Sequence, residues 1–215
     1  LPKSEMTEAE WGEARADLAA SLRAGWAILA KGGSAVDAVE AAVRVMEDSP
    51  HFNAGHGAAF NADGEHELDA SIMDGATLAA GALAGVKRIR NPVSAAKALM
   101  LRGDPLLLAG AAGDAFAAHE GLDTVENAHF STERRRMNRS SMKFGELVGS
   151  ASQASEAEKH GTVGAVALDA QGHLAAATST GGYTNKPVGR VGDSPIIGAG
   201  TYARDGRCAV SGPGK

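Results

Sequence analysis

His160-Gly161-Thr162-Val163-Gly164 is the stretch from which the rest of the sequence can be interpreted. It joins a long polar segment to a run rich in Ala, Val and Leu, and on its own a Gly-Thr pair indicates only the start of a strand. Two further blocks follow it in order, Ala177-Thr178-Ser179-Thr180-Gly181-Gly182 and Gly189-Arg190-Val191-Gly192-Asp193-Ser194-Pro195. The three blocks in this order are specific enough to indicate a chemical function.

A threonine directly after a glycine suits one kind of hydrolysis. A Thr hydroxyl is a weak nucleophile until a base removes its proton, and a free α-amine, with a pKa of about 7.7–8.0 in model peptides, can act as that base. If the bond before Thr162 is cut, one residue supplies both nucleophile and base. Gly161 lacks a Cβ atom and can adopt the strained backbone that self-cleavage by an N-to-O acyl shift requires.

The three blocks resemble the plant-type asparaginase and isoaspartyl peptidase family of N-terminal-nucleophile hydrolases, and the resemblance covers nearly the whole chain. It implies an α+β fold, the αββα sandwich, as a single domain over residues 1–215. Residues 1–161 match the α subunit, with a mobile linker at about 131–161, and residues 162–215 match the start of the β subunit. Family members usually extend further in both directions, so we expect the chain to be incomplete at both ends.

The resemblance also implies a function and a site. The expected activity is that of an autoprocessing threonine hydrolase, cut between Gly161 and Thr162, that cleaves the β-amide of asparagine and β-aspartyl (isoaspartyl) dipeptides. Thr162 is the expected nucleophile and Thr180 the second catalytic threonine. The residues expected to bind substrate are Arg190, Asp193, Gly214 and Asn53.

Arg190 and Asp193 have the chemistry to bind an amino acid. A guanidinium can hold an α-carboxylate through two parallel hydrogen bonds, and a carboxylate can accept from an α-ammonium group. Residues of opposite charge three positions apart can also form a local surface ion pair, which contributes little. The family resemblance favours substrate binding.

Pro213-Gly214 departs from the family pattern, which has Thr-Gly at this place as the oxyanion hole. Proline has neither a hydroxyl nor an N–H, so only the Gly214 N–H remains as a donor from this pair. Loss of one oxyanion donor typically lowers kcat by about 10²–10³. The sequence therefore predicts an enzyme that is slower than its relatives, unless Ser211 or a water supplies the donor.

No cofactor is expected for catalysis, but the loop His51-Phe52-Asn53-Ala54-Gly55-His56-Gly57 resembles a family loop whose main-chain carbonyls hold a structural sodium. Hard cations prefer oxygen ligands, although carbonyl ligation leaves no side-chain signature. The residues expected to contribute carbonyls are Met46, Glu47, Ser49, Phe52, Ala54 and His56. A zinc site at His51 and His56 is the alternative, and the absence of further Cys or clustered His nearby disfavours it.

Composition limits the classes of partner. The net charge of −5 argues against nucleic acid, and no apolar run approaches the ~20 residues of a membrane span. Cys208 is the only cysteine, so no internal disulfide can form and a cytoplasmic location is expected. The resemblance implies small-molecule substrates, asparagine and β-aspartyl dipeptides, and a dimer of cleaved αβ units.

The chain opens with two predicted helices. Thr7 and Glu10 form a capping box. An apolar stripe follows, and its residues are predicted to be buried in the core. Its members are Trp11, Ala14, Leu18, Leu22, Trp26 and Leu29. Ser34 can cap the second helix, whose predicted core stripe ends before Pro50. The stripe comprises Val36, Val39, Val43 and Met46.

Later segments are predicted from turns and charge. The pattern of residues 58–85 predicts an antiparallel meander. Its carboxylates are predicted to be exposed to solvent; they are Glu65, Glu67, Asp69 and Asp74. Residues 131–159 read as a mostly mobile linker whose arginines Arg134, Arg135 and Arg136 are solvated. Val163–Thr178 reads as a buried hairpin, so Thr162 starts a rigid core strand.

Two other functions stay open at this point. An inactive or catalytically impaired relative could keep the fold and bind a small ligand. A glycosylasparaginase-like amidase is less well matched, because those relatives usually carry Asp and Asn where this chain has Gly161 and Gly181. A nucleotide site at 211–215 is weak, because Ala209 replaces the first glycine of a P-loop.

Overall fold

The computed structural model describes residues 7–140 and 161–212. The described residues form an α+β fold with a five-stranded mixed sheet and a separate two-stranded sheet. The helices are α1 (Glu8–Leu29), α2 (Ala35–Asp48), α3 (Pro92–Arg102), α4 (Ala111–His119) and α5 (Glu133–Ser140), with a short 3-10 helix at Asn127–Phe130. The strands are β1 (Leu68–Asp74), β2 (Ala80–Val86), β3 (Leu107–Ala109), β4 (Val163–Leu168), β5 (Leu174–Thr180), β6 (Thr201–Arg204) and β7 (Cys208–Ser211). No helix within these residues is long and apolar enough to cross a membrane.

Helix α1 begins as predicted but buries a different face. The Thr7–Glu10 capping box is present. The predicted core stripe is wrong for Leu22 and Trp26, which are each 68% exposed, and for Leu18, which is 47% exposed, whereas Trp11 and Leu29 are partly buried. The residues buried in α1 are Ala14, Ser21 and Gly25. Small residues let α1 approach α2 closely: Ser21 Oγ donates to the Ala42 carbonyl at 2.8 Å, and a Cβ atom added to Gly25 would lie 3.0 Å from the Ala38 carbonyl oxygen.

Helix α2 confirms its prediction. The Ser34 side chain accepts from the Asp37 amide at the N-terminus, and the helix ends before Pro50. Val39, Val43 and Met46 are buried, and they pack with the β-sheet residues in the main apolar core. Val36 is partly buried against the same core. A helix with a wide apolar face is held by the sheet beneath it.

The five strands lie in the order β3-β2-β1-β5-β4. Strand β1 is antiparallel to β2 and to β5, β4 is antiparallel to β5, and β3 is parallel to β2. The predicted hairpin after Thr162 is therefore present. The expectation of a central strand is wrong for the described sheet, because β4 is an edge strand in which Val166 is 53% and Leu168 is 60% exposed.

The two faces of this sheet have different chemistry. Side chains alternate between faces along a strand, so Ile72 and Ala177 face the core with α2 and α3. On the opposite face, Asp69 pairs with Thr180 and Ser71 pairs with Thr178 in the register of β1 and β5. The β6-β7 hairpin lies against β1, β5 and β4. A polar sheet face is thus placed under a second layer of strands.

Two predicted segments differ from the structure. The antiparallel pair β1-β2 is present, but residues 58–67 form a loop whose backbone makes an isolated bridge from Asn61 to Lys186, so no full meander forms. In the predicted mobile linker, residues 133–140 form α5, and Arg135 is buried with its Nε donating to the Gly57 carbonyl at 2.5 Å. A buried guanidinium bound to a carbonyl fixes this helix on the 51–57 loop. Residues 141–160 lie outside the described part of the chain.

Candidate active site

The two predicted catalytic threonines meet at the start of the β4-β5 hairpin. Val163 pairs with Ser179, which brings Thr162 beside Thr180, the last residue of β5. Thr162 Oγ1 donates to Thr180 Oγ1 at 3.2 Å. Thr180 Oγ1 also accepts from the Gly182 amide at 3.0 Å. Since Thr180 is buried and oriented by this amide, its oxygen is held where it can accept from the Thr162 hydroxyl.

Asn53 connects the predicted cleavage point to the turn after Thr180. Its side-chain oxygen accepts from the Ala59 amide at 2.7 Å, its Nδ2 donates to the Gly182 carbonyl, and its own carbonyl accepts from the Gly181 amide at 2.9 Å. A Cβ atom added to Gly161 would lie 2.7 Å from Asn53 Cβ. Asn53 therefore contacts the Gly161 side of the Gly161–Thr162 bond and is held by several hydrogen bonds.

Arg190 and Asp193 lie on a loop that crosses the polar face of the sheet. The Arg190 guanidinium stacks 4.8 Å from the centroid of the Tyr183 ring. The Asp193 carbonyl accepts from the Ile196 and Gly200 amides at 2.8 and 3.1 Å. Within residues 7–140 and 161–212, no ion pair joins Arg190 to Asp193, so the local surface pair considered above does not form. Gly214, the remaining predicted substrate-binding residue, lies outside the described residues, as does Pro213.

Buried charges lie beneath this loop, where the sequence predicted solvated carboxylates. That prediction is wrong for Glu67 and Asp69, which are 3% and 0% exposed, and it holds for the exposed Glu65. Lys186 is also fully buried, and its Nζ donates to the Glu67 carbonyl at 2.8 Å. Burial raises the pKa of the Asp69 carboxyl and lowers the pKa of the Lys186 ammonium. Charge alone gave the wrong prediction, because Lys186, whose positive charge offsets that of the buried carboxylates, lies far from them along the chain.

A chain of hydroxyls continues from the threonines along the same face. Thr178 Oγ1 lies 2.7 Å from Ser211 Oγ and accepts from Thr201 Oγ1 at 2.5 Å, while Ser71 Oγ lies 2.7 Å from Thr201 Oγ1. Sequence reasoning missed this network. The sequence gives no clear signal for it, because Ser71, Thr178, Thr201 and Ser211 are far apart along the chain. This hydroxyl network holds Ser211 over β4, next to Gly164. A Cβ atom added to Gly164 would overlap Ser211 Oγ.

Glu47 is a second buried acid close to the site. Its Oε1 accepts from Ser179 Oγ at 2.7 Å and from the Val93 amide at 3.0 Å. Burial raises the pKa of the Glu47 carboxyl to about 8. Ser179 stands between Thr178 and Thr180 with its side chain on the opposite face of the sheet. Glu47 thus ties the end of α2 to the strand that carries Thr180.

The predicted sodium loop is tightly folded. Gly57 has a φ of +111°, and a Cβ atom there would lie 2.6 Å from the Phe52 carbonyl oxygen and 2.8 Å from that of Pro50. The His56 amide donates to the Glu47 carbonyl at 2.7 Å. Backbone carbonyls are thus concentrated inside the loop. Among the described residues, no group of three or more His, Cys, Asp and Glu side chains could hold a metal ion.

The chain is similar in sequence to known proteins of one family. A family model described as Asparaginase matches residues 1–215. The isoaspartyl peptidase of Escherichia coli (strain K12) is 49% identical over 197 residues, which cover 90% of this chain and 61% of that protein. The isoaspartyl peptidase/L-asparaginase of Rattus norvegicus is 49% identical (92% of this chain, 58% of that protein), and that of Homo sapiens is 47% identical (88% and 61%). The chain thus spans about three fifths of the length of these curated relatives.

Proposed function

The chain belongs to the Asparaginase family, and from this we propose that it carries the nucleophile of an autoprocessing threonine hydrolase acting on asparagine and β-aspartyl dipeptides. The observation that carries the proposal is the 3.2 Å contact between the Thr162 and Thr180 hydroxyls. It supports the proposal because the nucleophile is aligned before any substrate binds.

Self-cleavage is the first step of the proposed mechanism. Thr162 Oγ1 attacks the carbonyl carbon of Gly161 and the C–N bond breaks. The acyl group moves to Oγ1 while the hydroxyl proton passes to nitrogen, which frees the α-amine of Thr162. Water then hydrolyses the ester to give the Gly161 carboxylate and the Thr162 hydroxyl. Asn53 packs beside Gly161, where an added Cβ atom would lie 2.7 Å from Asn53 Cβ, and this contact limits the positions open to the attacked carbonyl.

Substrate hydrolysis repeats the chemistry on an external carbonyl. The freed amine takes the Thr162 hydroxyl proton as the oxygen attacks the side-chain carbonyl of the aspartyl unit. The leaving group, ammonia or an amino acid, departs with a proton, and water hydrolyses the resulting ester to release aspartate. Thr180, whose Oγ1 is fixed by the Gly182 amide, orients the nucleophile.

Arg190 and Asp193 are proposed to bind the α-carboxylate and the α-ammonium of the aspartyl unit. The test compares a β-aspartyl dipeptide with its N-acetylated form in the purified protein. Acetylation removes the positive charge, so kcat/KM is expected to fall by roughly tenfold or more, the value of one hydrogen bond to a charged group. Asp193→Asn is expected to shrink this difference, and equal turnover of the two substrates would refute the assignment.

Steric crowding argues against a glycosylasparaginase-like site. A Cβ atom on Gly181 would lie 2.6 Å from Ala58 Cβ and 2.8 Å from Asn53 Oδ1, and one on Gly161 would crowd Asn53 as well. The larger Asp and Asn residues that those relatives usually carry at these positions need more space than Ala58 and Asn53 leave here. The inactive alternative rests on Pro213, and the absence of turnover in a correctly cleaved protein would favour it.

We also propose three features of the whole protein. A structural sodium would stabilise the segment that carries Asn53, and its expected ligands are the carbonyls of Met46, Glu47, Ser49, Phe52, Ala54 and His56. The Glu47 carbonyl has a second lone pair beyond its bond to the His56 amide. The β6-β7 hairpin on the polar sheet face supports the αββα sandwich, with this pair as part of the second sheet. The exposed Leu22 and Trp26 of α1 support a contact surface for a dimer of cleaved αβ units.

A single exposed cysteine, Cys208, fits the cytoplasmic location proposed for the protein.

A further inference from the structure

Three buried charged residues, Glu67, Asp69 and Lys186, form a cluster beneath the loop that carries Arg190 and Asp193. Burying a charge is costly unless it is paired and hydrogen-bonded. A protein that used this sheet face only for packing would be more stable with apolar side chains here. The contacts of the cluster indicate what the charges do instead.

Lys186 connects the cluster to Thr180. The backbone of the preceding turn is fixed by Asn185, which has a φ of 62° and donates to the Phe60 carbonyl at 2.7 Å. The aliphatic part of Lys186 folds back against Gly182, where an added Cβ atom would lie 2.7 Å from Lys186 Cδ. Gly182 is the residue whose amide orients the Thr180 hydroxyl. Lys186 therefore supports the turn that holds Thr180.

Glu67 holds the other end of the cluster, at the substrate-binding loop. Its two carboxylate oxygens accept from the Gly189 amide at 3.2 and 3.1 Å, and Lys87 Nζ lies 3.9 Å from Oε1. Gly189 directly precedes Arg190. The orientation of Arg190 thus depends on a bond between its neighbour and a buried carboxylate.

Asp69 lies between the two ends. It pairs with Thr180 in the register of β1 and β5, and its Oδ1 accepts from the Gly85 amide at 2.8 Å. Burial raises the pKa of the Asp69 carboxyl, and the positive charges of Lys186 and Arg190 oppose this rise. Asp69 thus interacts with the loop and the strand at the same time.

We propose that Glu67, Asp69 and Lys186 are positioning residues that fix the 189–193 loop relative to Thr180, and thereby set the affinity for the amino-acid end of the substrate. The inference rests on the proposed function. Arg190 and Asp193 grip a part of the substrate that does not react, so a displaced loop weakens ground state and transition state alike. An equal loss of binding energy in the ground state and the transition state raises KM and leaves kcat nearly unchanged.

Glu67→Gln is the primary test, because Gln keeps the shape and one acceptor oxygen for the Gly189 amide while it removes the charge. KM for a β-aspartyl dipeptide is expected to rise about tenfold with kcat within about threefold, and exchange of the loop amides with solvent is expected to accelerate. Glu65→Gln is the matched control, since Glu65 is exposed on the same segment and pairs with Lys87. It is expected to leave KM and amide exchange unchanged.

Each outcome decides one point. Unchanged amide exchange at 189–193 in Glu67→Gln would overturn the anchoring, and faster exchange with an unchanged KM would overturn its effect on affinity. A wild-type protein that turns over no β-aspartyl substrate would refute the proposed function instead, and amide exchange would then judge the anchoring alone.

Lys186 is tested by a pair of variants. Lys186→Met keeps the aliphatic chain but removes one of the two positive charges that act on the buried Asp69, so the variant is expected to lose stability. Lys186→Met combined with Asp69→Asn removes both buried charges and is expected to fold while KM stays raised at least tenfold. A folded double variant with the wild-type KM would overturn the role of Lys186.

Discussion

Replacement of Glu47 by Gln should change how the stability of the fold depends on pH. The Glu47 carboxyl is fully buried, and burial raises its pKa from 4.5 to about 8. The folded state therefore keeps a proton that the unfolded chain loses above pH 4.5. The stabilisation is fully present below pH 4.5 and is lost as the pH rises through 8.

The expected magnitude follows from the shift. Between about pH 5 and 8, this group alone lowers the free energy of unfolding by at most about 1.4 kcal/mol per pH unit, which sums to roughly 3–4 kcal/mol as an upper limit. Gln cannot ionise, yet its side-chain oxygen can still accept from Ser179 and Val93. The Glu47→Gln variant is therefore expected to lack this slope and to gain stability relative to wild type as the pH rises.

Urea unfolding at pH 5, 6, 7 and 8 measures the effect. The difference in the free energy of unfolding between wild type and Glu47→Gln should shift steadily in favour of the variant over this range. Glu65→Gln serves as the control, because Glu65 is exposed and should show the wild-type pH dependence. Parallel stability curves for wild type and Glu47→Gln would refute the reasoning and place an ionised carboxylate in the core.

Three further substitutions or titrations test other parts of the structure. Thr162→Ala is expected to give a folded, uncleaved protein without activity, since it removes the hydroxyl and little volume; residual hydrolysis of asparagine would exclude Thr162 as nucleophile. Gly164→Ala places a Cβ atom against Ser211 Oγ and should destabilise by about 1–3 kcal/mol in thermal unfolding, whereas Gly12→Ala, with open space around it, should not. His66, whose pKa burial lowers to about 4, should stay neutral in an NMR titration down to about pH 5, and its stabilisation should be lost as the pH falls from 6.5 through 4.

Local signals in the sequence predicted much of the frame. The Thr7 capping box, the Ser34 cap and the turn between β4 and β5 depend on neighbouring residues alone, and the structure has all three. The contact between Thr162 and Thr180 follows from that hairpin, because antiparallel pairing brings the start of one strand to the end of the other. A site built on one hairpin can therefore be predicted from sequence.

Features that depend on distant partners were not predictable in the same way. The apolar stripe of α1 named Trp26 as core, but the face that fits against α2 is made of small residues such as Gly25. Asp69 and Arg135 were predicted to be solvated because they are charged. Only the fold brings Lys186 near Asp69 and the Gly57 carbonyl to Arg135. Periodicity and charge describe one segment, whereas burial is decided by what packs against it.

The mass of the purified protein shows whether the bond before Thr162 is cut. We expect two polypeptides, the second of which begins at Thr162 by N-terminal sequencing, and a single uncleaved polypeptide in Thr162→Ala. One intact polypeptide after prolonged incubation of the folded wild-type protein would contradict the assignment of Thr162 as a self-releasing nucleophile.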